Sequence, residues 1–382
     1  MTAVPLIDLS LQHAEVADEV QAGFAQVLAT GDFVGGRAVA AFEAEFARFT
    51  GVPHCVGTGN GTDALEMALR AVGVGAGHEV VLPANTFVAT AEAVVRAGAR
   101  PVLVDVDDDA LLMRVDQAAQ RIGPDTRAVV PVHLFGQAAE VERLEPATRE
   151  GRVAIVEDAA QAQGARRFGA PVGGLGTIAG TSFYPGKNLG AYGDAGAVLT
   201  GDEGLATAVR MMRDHGSAAK YEHSVLGFNS RLDTLQAVVL RAKLRRLAEW
   251  NRRRREAAER YTALLSDAAA VRTPVTLPGN EHVWHLYVVR VPDRDRVLER
   301  LHRAGIFAGI HYPVPVHLQP AFSWLGYGPG DFPVAEAAAG RVLSLPIHPQ
   351  ITPAQQERVV EVLLTAVGDS TGRPSTRPAG DR

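Results

Sequence analysis

Lys187 stands alone as a cation in GTSFYPGKNLGAYGDAGAV (180–198), a stretch rich in glycine, aromatic and small residues. Burying an ammonium in such surroundings is costly and lowers its pKa. A neutral amine is what Schiff-base chemistry needs, so this lysine is a candidate covalent nucleophile. A salt-bridged surface lysine is the competing reading. A second candidate is VAIVEDAAQA (153–162), where an apolar run ends in Glu157 and Asp158. That places a carboxylate at the carboxyl end of a strand, where α/β proteins bind ligands, although one acid there could simply cap the next helix. The third is VGTGNGTDALEMAL (56–69), a glycine-rich turn leading into a helix. Glycines allow close backbone approach, and a helix start offers free N–H groups to an anion at Gly61, Thr62 and Asp63. A tight turn with an N-cap explains the same residues. The dinucleotide fingerprint fits imperfectly, because Thr62 occupies the third glycine position after Gly57 and Gly59. No Gly-Lys-Ser/Thr follows, so the turn is not a Walker loop.

Each segment alone is ambiguous, but together they match one demand. Pyridoxal 5'-phosphate needs an anion cradle for its phosphate, an acid opposite its pyridine nitrogen and a lysine to bind its aldehyde. The chain supplies these in Gly61 and Thr62, in Asp158 and in Lys187.

The elements that must hold these residues alternate. Helices are expected over 13–30 and 38–49. Apolar, β-branched runs then follow at 80–85, 101–107, 127–133, 153–158, 179–184 and 196–200, with amphipathic stretches such as 87–98 and 138–150 between them. Continuous apolar strands separated by helices indicate a mostly parallel sheet covered on both faces, an α/β fold. A long helix is expected from about 232 to 265, with Leu235, Val238, Val239, Leu244, Leu247 and Trp250 forming its apolar stripe. Its run Arg252-Arg253-Arg254-Arg255 reads as a solvated face rather than a nucleic-acid patch, given the acidic total and the lack of interleaved aromatics. A strand over 285–291 and helices over 294–304 and 353–367 suit a smaller α+β lobe. The expected division is a large domain over 1–245, a small one over 246–367 and a disordered tail over 368–382.

At 382 residues the chain has room for two such lobes. A net charge of -5 gives no general attraction to nucleic acid or to an anionic membrane. Cys55 is the single cysteine, so no disulfide forms within the chain and a reducing compartment fits. The beginning of the chain shows no secretory leader, and no apolar run approaches the about 20 residues of a membrane span. The cytoplasm is the expected location.

The ordered motifs carry a specific resemblance. They include GDFVGGRAVAAFEAEFA (31–47), GNGTDALEMAL (59–69), HEVVLPANTFVAT (78–90), PVLVDVD (101–107), VVPVHLFGQ (129–137) and VEDAAQAQGA (156–165). SFYPGKNLGAYGDAGAV (182–198), GFNSRLDTLQA (227–237) and HYPVPVH (311–317) continue the series. From about residue 4 to 365 the chain resembles the sugar aminotransferases of the DegT/DnrJ/EryC1/StrS family, which have the fold-type I pyridoxal-phosphate fold. The resemblance implies roles. Lys187 is then the lysine that binds the cofactor aldehyde and later shuttles a proton. Asp158 is the partner of the pyridine nitrogen, and Gln161 lies near the ring's phenolic oxygen. Gly61, Thr62 and Ser182 are phosphate ligands, and Phe87 stacks on the ring, unless it is an ordinary core phenylalanine. Asn229 reaches the phosphate of a neighbouring subunit, which implies a homodimer with shared sites. Tyr312 and His317 close over the substrate, or His317 is a structural histidine. Tyr184, Lys220, Tyr221 and Arg231 are candidates for holding the nucleotide diphosphate or the donor carboxylate. His317 has no partner at metal-ligand spacing, and no metal is expected.

The activity implied is transfer of an amino group from L-glutamate to a nucleotide-linked keto sugar. Within the family, GFNSRLDTLQA and HYPVPVH look most like enzymes acting at C3 of dTDP-3-keto-6-deoxyhexoses, in antibiotic or cell-surface sugar biosynthesis. The alternatives are a 4-keto sugar aminotransferase, a sugar dehydratase of the same fold, a regulatory or DNA-binding protein and a nicotinamide-dependent oxidoreductase. Lys187 argues against the best-known dehydratase type, which carries histidine there.

Overall fold

Continuous runs of valine, leucine, isoleucine and alanine fold into a seven-stranded sheet in this computed structural model, which describes residues 3–148 and 151–370. In chain order its strands are β1 (His54–Thr58), β2 (Glu79–Pro83), β3 (Arg100–Val104), β4 (Thr126–Val129), β5 (Ala154–Asp158), β6 (Ile178–Ser182) and β7 (Gly196–Thr200). Their spatial order is β1-β7-β6-β5-β4-β2-β3. Pairs β2–β3, β2–β4, β4–β5 and β5–β6 are parallel, whereas β7 runs antiparallel to both β6 and β1. The sheet is therefore mostly parallel. Val80, Val81, Leu82 and Leu103 are fully buried, because helices cover both faces and no strand residue at the centre meets water.

Before the sheet come α1 (Leu9–Ala14), α2 (Ala17–Thr30) and α3 (Gly36–Thr50). The helix expected over 13–30 is thus two, divided near Glu15 and Val16. Between strands lie α4 (Gly61–Ala71), α5 (Val88–Arg96) and α6 (Val115–Arg121), and α7 (Glu203–Arg213) follows β7. The helix expected over 138–150 forms only a 3-10 turn at Val141–Arg143 and a short helix at Glu145–Thr148. Pro146 accounts for the break, since it lacks the N–H that a continuous helix would use. Gly180, on β6 beside Asp158, shows how closely α4 packs. A Cβ there would lie 2.9 Å from both the backbone nitrogen and side chain of Leu65.

The long helix is α8 (Thr234–Leu264), 31 residues. Its arginine run is not a uniform solvated face. Arg252 and Arg253 are paired with Glu249, but Arg254 is only 1% exposed. Arg254 donates to the carbonyls of Trp284 and Ile347 at 3.1 and 3.0 Å, which ties α8 to the smaller lobe. Burial pushes its guanidinium down to about 9. In that lobe β8 (Tyr287–Arg290) and β9 (Val342–Leu345) pair antiparallel and pack with α9 (Arg294–Arg303) and α11 (Pro353–Ser370), whereas α10 (Pro333–Ala339) reaches the large domain, its Val334 and Ala335 N–H groups donating to Asp105. Val289, Leu301, Leu343, Leu345, Val359 and Leu363 pack with Val4 and Tyr261 into its core. The last helix continues through Ser370, into the stretch expected as a tail, and residues 371–382 of that stretch lie outside the described residues. No helix among the described residues is long and apolar enough to cross a membrane.

Candidate active site

Parallel strands end together, so β5 and β6 deliver their last side chains to one edge of the sheet. There the buried Asp158 ends β5 and the half-buried Ser182 ends β6. Asp158 Oδ2 accepts a hydrogen bond from Thr90 Oγ1 at 2.7 Å, and its Oδ1 accepts from the backbone N–H of Ala160 at 3.1 Å. The neighbouring Glu157 points the other way and is fully buried. It accepts from His133 and from the N–H groups of Gly173, Leu175 and Gly176, all within 2.9 Å. Alternation along one strand thus separates the two acids. Glu157 fixes the sheet's flank, while Asp158 faces the site.

Lys187 follows β6 in a loop pinned from several sides. Its own N–H bonds the carbonyl of Tyr184 at 2.8 Å, and the N–H of Ala191 bonds the carbonyl of Phe183 at 2.8 Å. Next to it, the buried Asn188 donates to the carbonyl of Val283 at 2.8 Å and to Asn251 Oδ1 at 2.9 Å. Lys243 of α8 donates to the carbonyl of Gly190 at 2.7 Å. Burial lowers the Lys187 amine to about 8, with the Asp158 charge acting the other way. No hydrogen bond or ion pair to its Nζ forms among the described residues. Imidazoles sit on the same side. His285 Nδ1 lies 3.2 Å from Asn188 Oδ1, and His311 Nδ1 lies 2.8 Å from Ser344 Oγ. Burial, with the Lys187 charge adding to it, keeps both rings neutral at ordinary pH and pushes His311 down to about 4.

At the start of α4, Asn60 caps the helix, its Oδ1 accepting from the Asp63 N–H at 2.8 Å. Its carbonyl takes the Ala64 N–H at 3.1 Å. The N–H groups of Gly61 and Thr62 remain for another acceptor. Gly61 lies against Ser182 so tightly that an added Cβ would stand 2.5 Å from the Ser182 Cβ. A helix start with free donors beside a serine hydroxyl suits an anion. Gln161 is buried, accepting from the Phe135 N–H at 2.7 Å and donating to the Tyr312 hydroxyl at 2.9 Å. Phe87 precedes α5 and is 52% exposed, so it is not a core side chain. Its ring stands 5.5 Å from that of Tyr312.

Other candidates are placed elsewhere. His317 is 2% exposed, bonds Glu336 Oε1 of α10 at 3.0 Å and sits edge-on to Phe332. Both partners come from the C-terminal stretch that also carries His317. Lys220 and Tyr221 occupy the exposed turn of a ribbon formed by Ser217–Ala219 and Glu222–His223, the lysine over its neighbour's ring at 5.3 Å. Asn229 is exposed and accepts from Arg231 at 2.9 Å, while Arg231 also pairs with Asp214 at 2.8 Å. Tyr184 is exposed at the mouth of the lysine loop. Sequence reasoning passed over Thr90, Asn188, Lys243, His285 and His311. The two histidines open the motifs HLYVVRV and HYPVPVH, which is the one signal that could have raised them.

The donor set fits pyridoxal phosphate. It offers an unbonded buried amine, a carboxylate with one oxygen in reach of the site, an anion cradle and a free aromatic face. The comparisons agree. Residues 14–364 match the DegT/DnrJ/EryC1/StrS aminotransferase family. The chain is 46% identical over 360 residues to the Saccharopolyspora erythraea protein named erythromycin biosynthesis sensory transduction protein EryC1, covering 94% of this chain and 98% of that one. It is 45% identical over 361 residues to the dTDP-3-amino-3,4,6-trideoxy-alpha-D-glucose transaminase of Streptomyces venezuelae, with 94% and 95% covered. A crystal structure of S. venezuelae DesV in complex with a ketimine intermediate superimposes with a TM-score of 0.94 at 43% identity, covering 98% of this chain and all of that one.

Proposed function

The chain belongs to the DegT/DnrJ/EryC1/StrS aminotransferase family, whose cofactor is pyridoxal 5'-phosphate, and we propose that it aminates C3 of a dTDP-linked 3-keto-6-deoxyhexose with L-glutamate as donor. The observation that carries the reading is the unbonded Lys187 amine, lowered to about 8 beside Asp158 at the strand ends. Relatives named as transaminases of dTDP-3-amino sugars favour position 3 over position 4.

Bound there, pyridoxal phosphate supplies an aldehyde that captures amines and a ring that draws electrons from the adjoining carbon. The chain's own groups do the rest. Gly61, Thr62 and Ser182 would hold the phosphate, with the macrodipole of α4 behind it. Asp158 would hold the proton on the ring nitrogen, Gln161 would meet the phenolic oxygen and Phe87 would cover one face of the ring. Lys187 takes the proton from the donor's α-carbon and returns protons to carbon on the sugar side, serving as base and acid in turn. An amine near 8 is suited to that work, since both of its protonation states are populated close to neutral pH. The donor leaves as its 2-oxo acid, and the keto sugar leaves as the amino sugar. Tyr312, bonded to Gln161, is the small-lobe group best placed to close over substrate. Tyr184, Lys220, Tyr221 and Arg231 remain candidates for the nucleotide or donor carboxylate, and His317 for closing over the substrate with Tyr312.

The same reading makes the enzyme a homodimer. Asn229 is exposed here and would reach the phosphate of the other subunit's site. Tyr221 and Leu226 are 86% and 99% exposed on the same stretch, an unusual cost for large apolar side chains unless a partner covers them. The cytoplasm suits an enzyme whose one cysteine, Cys55, is buried and unpaired. A DNA-binding role loses its main support, because Arg252 and Arg253 are engaged by Glu249 and Arg254 is buried.

The test is the absorption spectrum of the purified protein, wild type beside Lys187→Ala, before and after L-glutamate. The wild type should show the visible band of a lysine-linked cofactor and lose it with glutamate, and the variant should lack it from the start. A dTDP-3-keto-6-deoxyhexose should then restore the wild-type band and yield an amino sugar by mass spectrometry. A wild type with no such band after reconstitution would end the reading.

A further inference from the structure

Asp158 receives its shorter bond from Thr90, the last residue of HEVVLPANTFVAT, to which the sequence gives no role. Thr90, in the first turn of α5, donates from Oγ1 to Asp158 Oδ2 at 2.7 Å. Thr86, in the loop after β2, has its own hydroxyl 2.7 Å from that of Thr90. All three side chains are buried, so water does not compete for these bonds. A carboxylate has no proton to give, so the Thr90 hydroxyl proton must point at Oδ2. The Thr86–Thr90 bond can then be donated only by Thr86. The donors run one way, from Thr86 through Thr90 to Asp158. Oδ1 keeps a longer bond from the Ala160 N–H, at 3.1 Å, and retains acceptor capacity.

We propose that Thr90, oriented by Thr86, is a positioning residue that holds Oδ2 of Asp158 and so turns its Oδ1 toward the ring nitrogen of the cofactor. The proposal rests on the assignment of Asp158 given above. A hydrogen bond donated to a buried carboxylate oxygen is strong and holds the acceptor's orientation. The other groups near Asp158 come from different elements. Lys187 lies on the loop after β6, while the phenol of Tyr312, from the small lobe, is bonded to Gln161 rather than to the acid. Neither fixes which carboxylate oxygen faces the ring. Thr90 does, by occupying Oδ2. It also links α5 to the end of β5, so Phe87 and Asp158 are referenced to one short helix.

Thr90→Val keeps the side-chain shape and removes the hydroxyl, Thr90→Ser keeps the hydroxyl, and Thr86→Val removes only the outer donor. The first readout needs no cofactor. In apo-protein, the Asp158 carboxyl carbon is followed by NMR at neutral pH, assigned by its loss in Asp158→Asn. Thr90→Val should shift its resonance, Thr90→Ser should restore it, and Thr86→Val should move it the same way by less. The second readout is cofactor affinity of the apo-protein, which Thr90→Val should weaken by about tenfold and Thr90→Ser should return toward wild type. An unchanged resonance in a Thr90→Val protein with wild-type melting overturns the proposal. If the resonance moves but Asp158→Asn leaves the bound cofactor's spectrum and affinity untouched, the assignment of Asp158 to the ring nitrogen is what fails.

Discussion

Two regions carry the candidate residues, and they are built in opposite ways. At the ends of β5 and β6, polar atoms are buried and matched. Asp158 has Thr90 and Ala160, Gln161 has Phe135 and Tyr312, and Asn188 has Val283 and Asn251. The segment from Ser217 to Asn229 is largely the reverse. Lys220, Tyr221 and Asn229 stand in the open beside Val225 and Leu226, and their partners, Arg231 and Asp214 for Asn229, lie within about fifteen residues. The difference teaches what one chain finishes by itself. It completes the floor that positions an amine and an acid, whereas the ribbon stays open, the face that the proposed dimer would cover. Preorganised groups need such burial to hold their geometry, whereas a recognition surface must stay accessible until its partner arrives.

The sharpest way to break this comparison is to remove the amine. Lys187→Ala should lower transamination by about a thousandfold or more, since it deletes both covalent capture and the acid–base group. Turnover of L-glutamate and keto sugar by saturated enzyme checks it, with melting to confirm the fold. The next variant attacks the other region. Leu226→Asp touches nothing in the chain's own core, so the folded protomer should keep its stability within about 0.5 kcal/mol. A charge at the centre of an interface should nevertheless cost about 2 kcal/mol or more in association. Sedimentation should therefore show monomers, and cofactor affinity should fall with them. A monomeric variant with full activity would mean that one chain builds the whole site.

A third measurement sharpens the account of the floor. The Lys187 amine is lowered from 10.5 to about 8 in the folded apo-protein, so the unfolded chain holds that proton more tightly. The resulting penalty is full below about 8 and fades as pH rises toward the unfolded value, so stability rises with pH across that window. Lys187→Met removes the penalty. It should stabilise the apo-protein at neutral pH by about 1 to 3 kcal/mol, less so as the amine meets more water, and the gain should shrink above pH 8. Lys243 is also lowered to about 8 but is present in both proteins and cancels. Urea unfolding of the two at several pH values decides the matter.

How much of this was legible in the sequence follows the same division. Strands such as 80–85 and 153–158 announced themselves because they are buried on both faces, and α3, α5, α8 and α9 kept a helical period. Lys187 was legible as an unusual residue for its loop, whereas Asp158 and Gly61 were ambiguous alone and became legible through the demands of one cofactor and the family resemblance. Thr90 was not, since a threonine in an apolar helix is unremarkable until folding brings it to Asp158, 68 residues away in sequence. Asn188, Lys243 and His285 are hidden for the same reason, each defined by partners from distant elements. Arg254 sat in a run whose neighbours are solvated, and only tertiary packing shows it turned inward. β9 was missed because its partner β8 lies more than fifty residues earlier, and an antiparallel pair that distant leaves no hairpin signature.

The smallest expected effect tests the boundary between the two regions. Phe87 belongs to the floor by position, at the start of α5, yet it is half in the open like the ribbon. Its one ring contact is Tyr312, 5.5 Å away and tilted by 38°. A core phenylalanine cut to alanine costs about 3 to 5 kcal/mol through its cavity, whereas an exposed one leaves no cavity to fill. Phe87→Ala should therefore leave the melting of the apo-protein nearly unchanged. What it should lose is a stacking surface, about 1 kcal/mol, or roughly fivefold in cofactor affinity. Phe87→Tyr should keep that affinity, because the ring face remains. A large drop in apo stability would place Phe87 with the packed floor. No change in cofactor affinity would mean that the ring serves Tyr312 and the substrate side of the site instead.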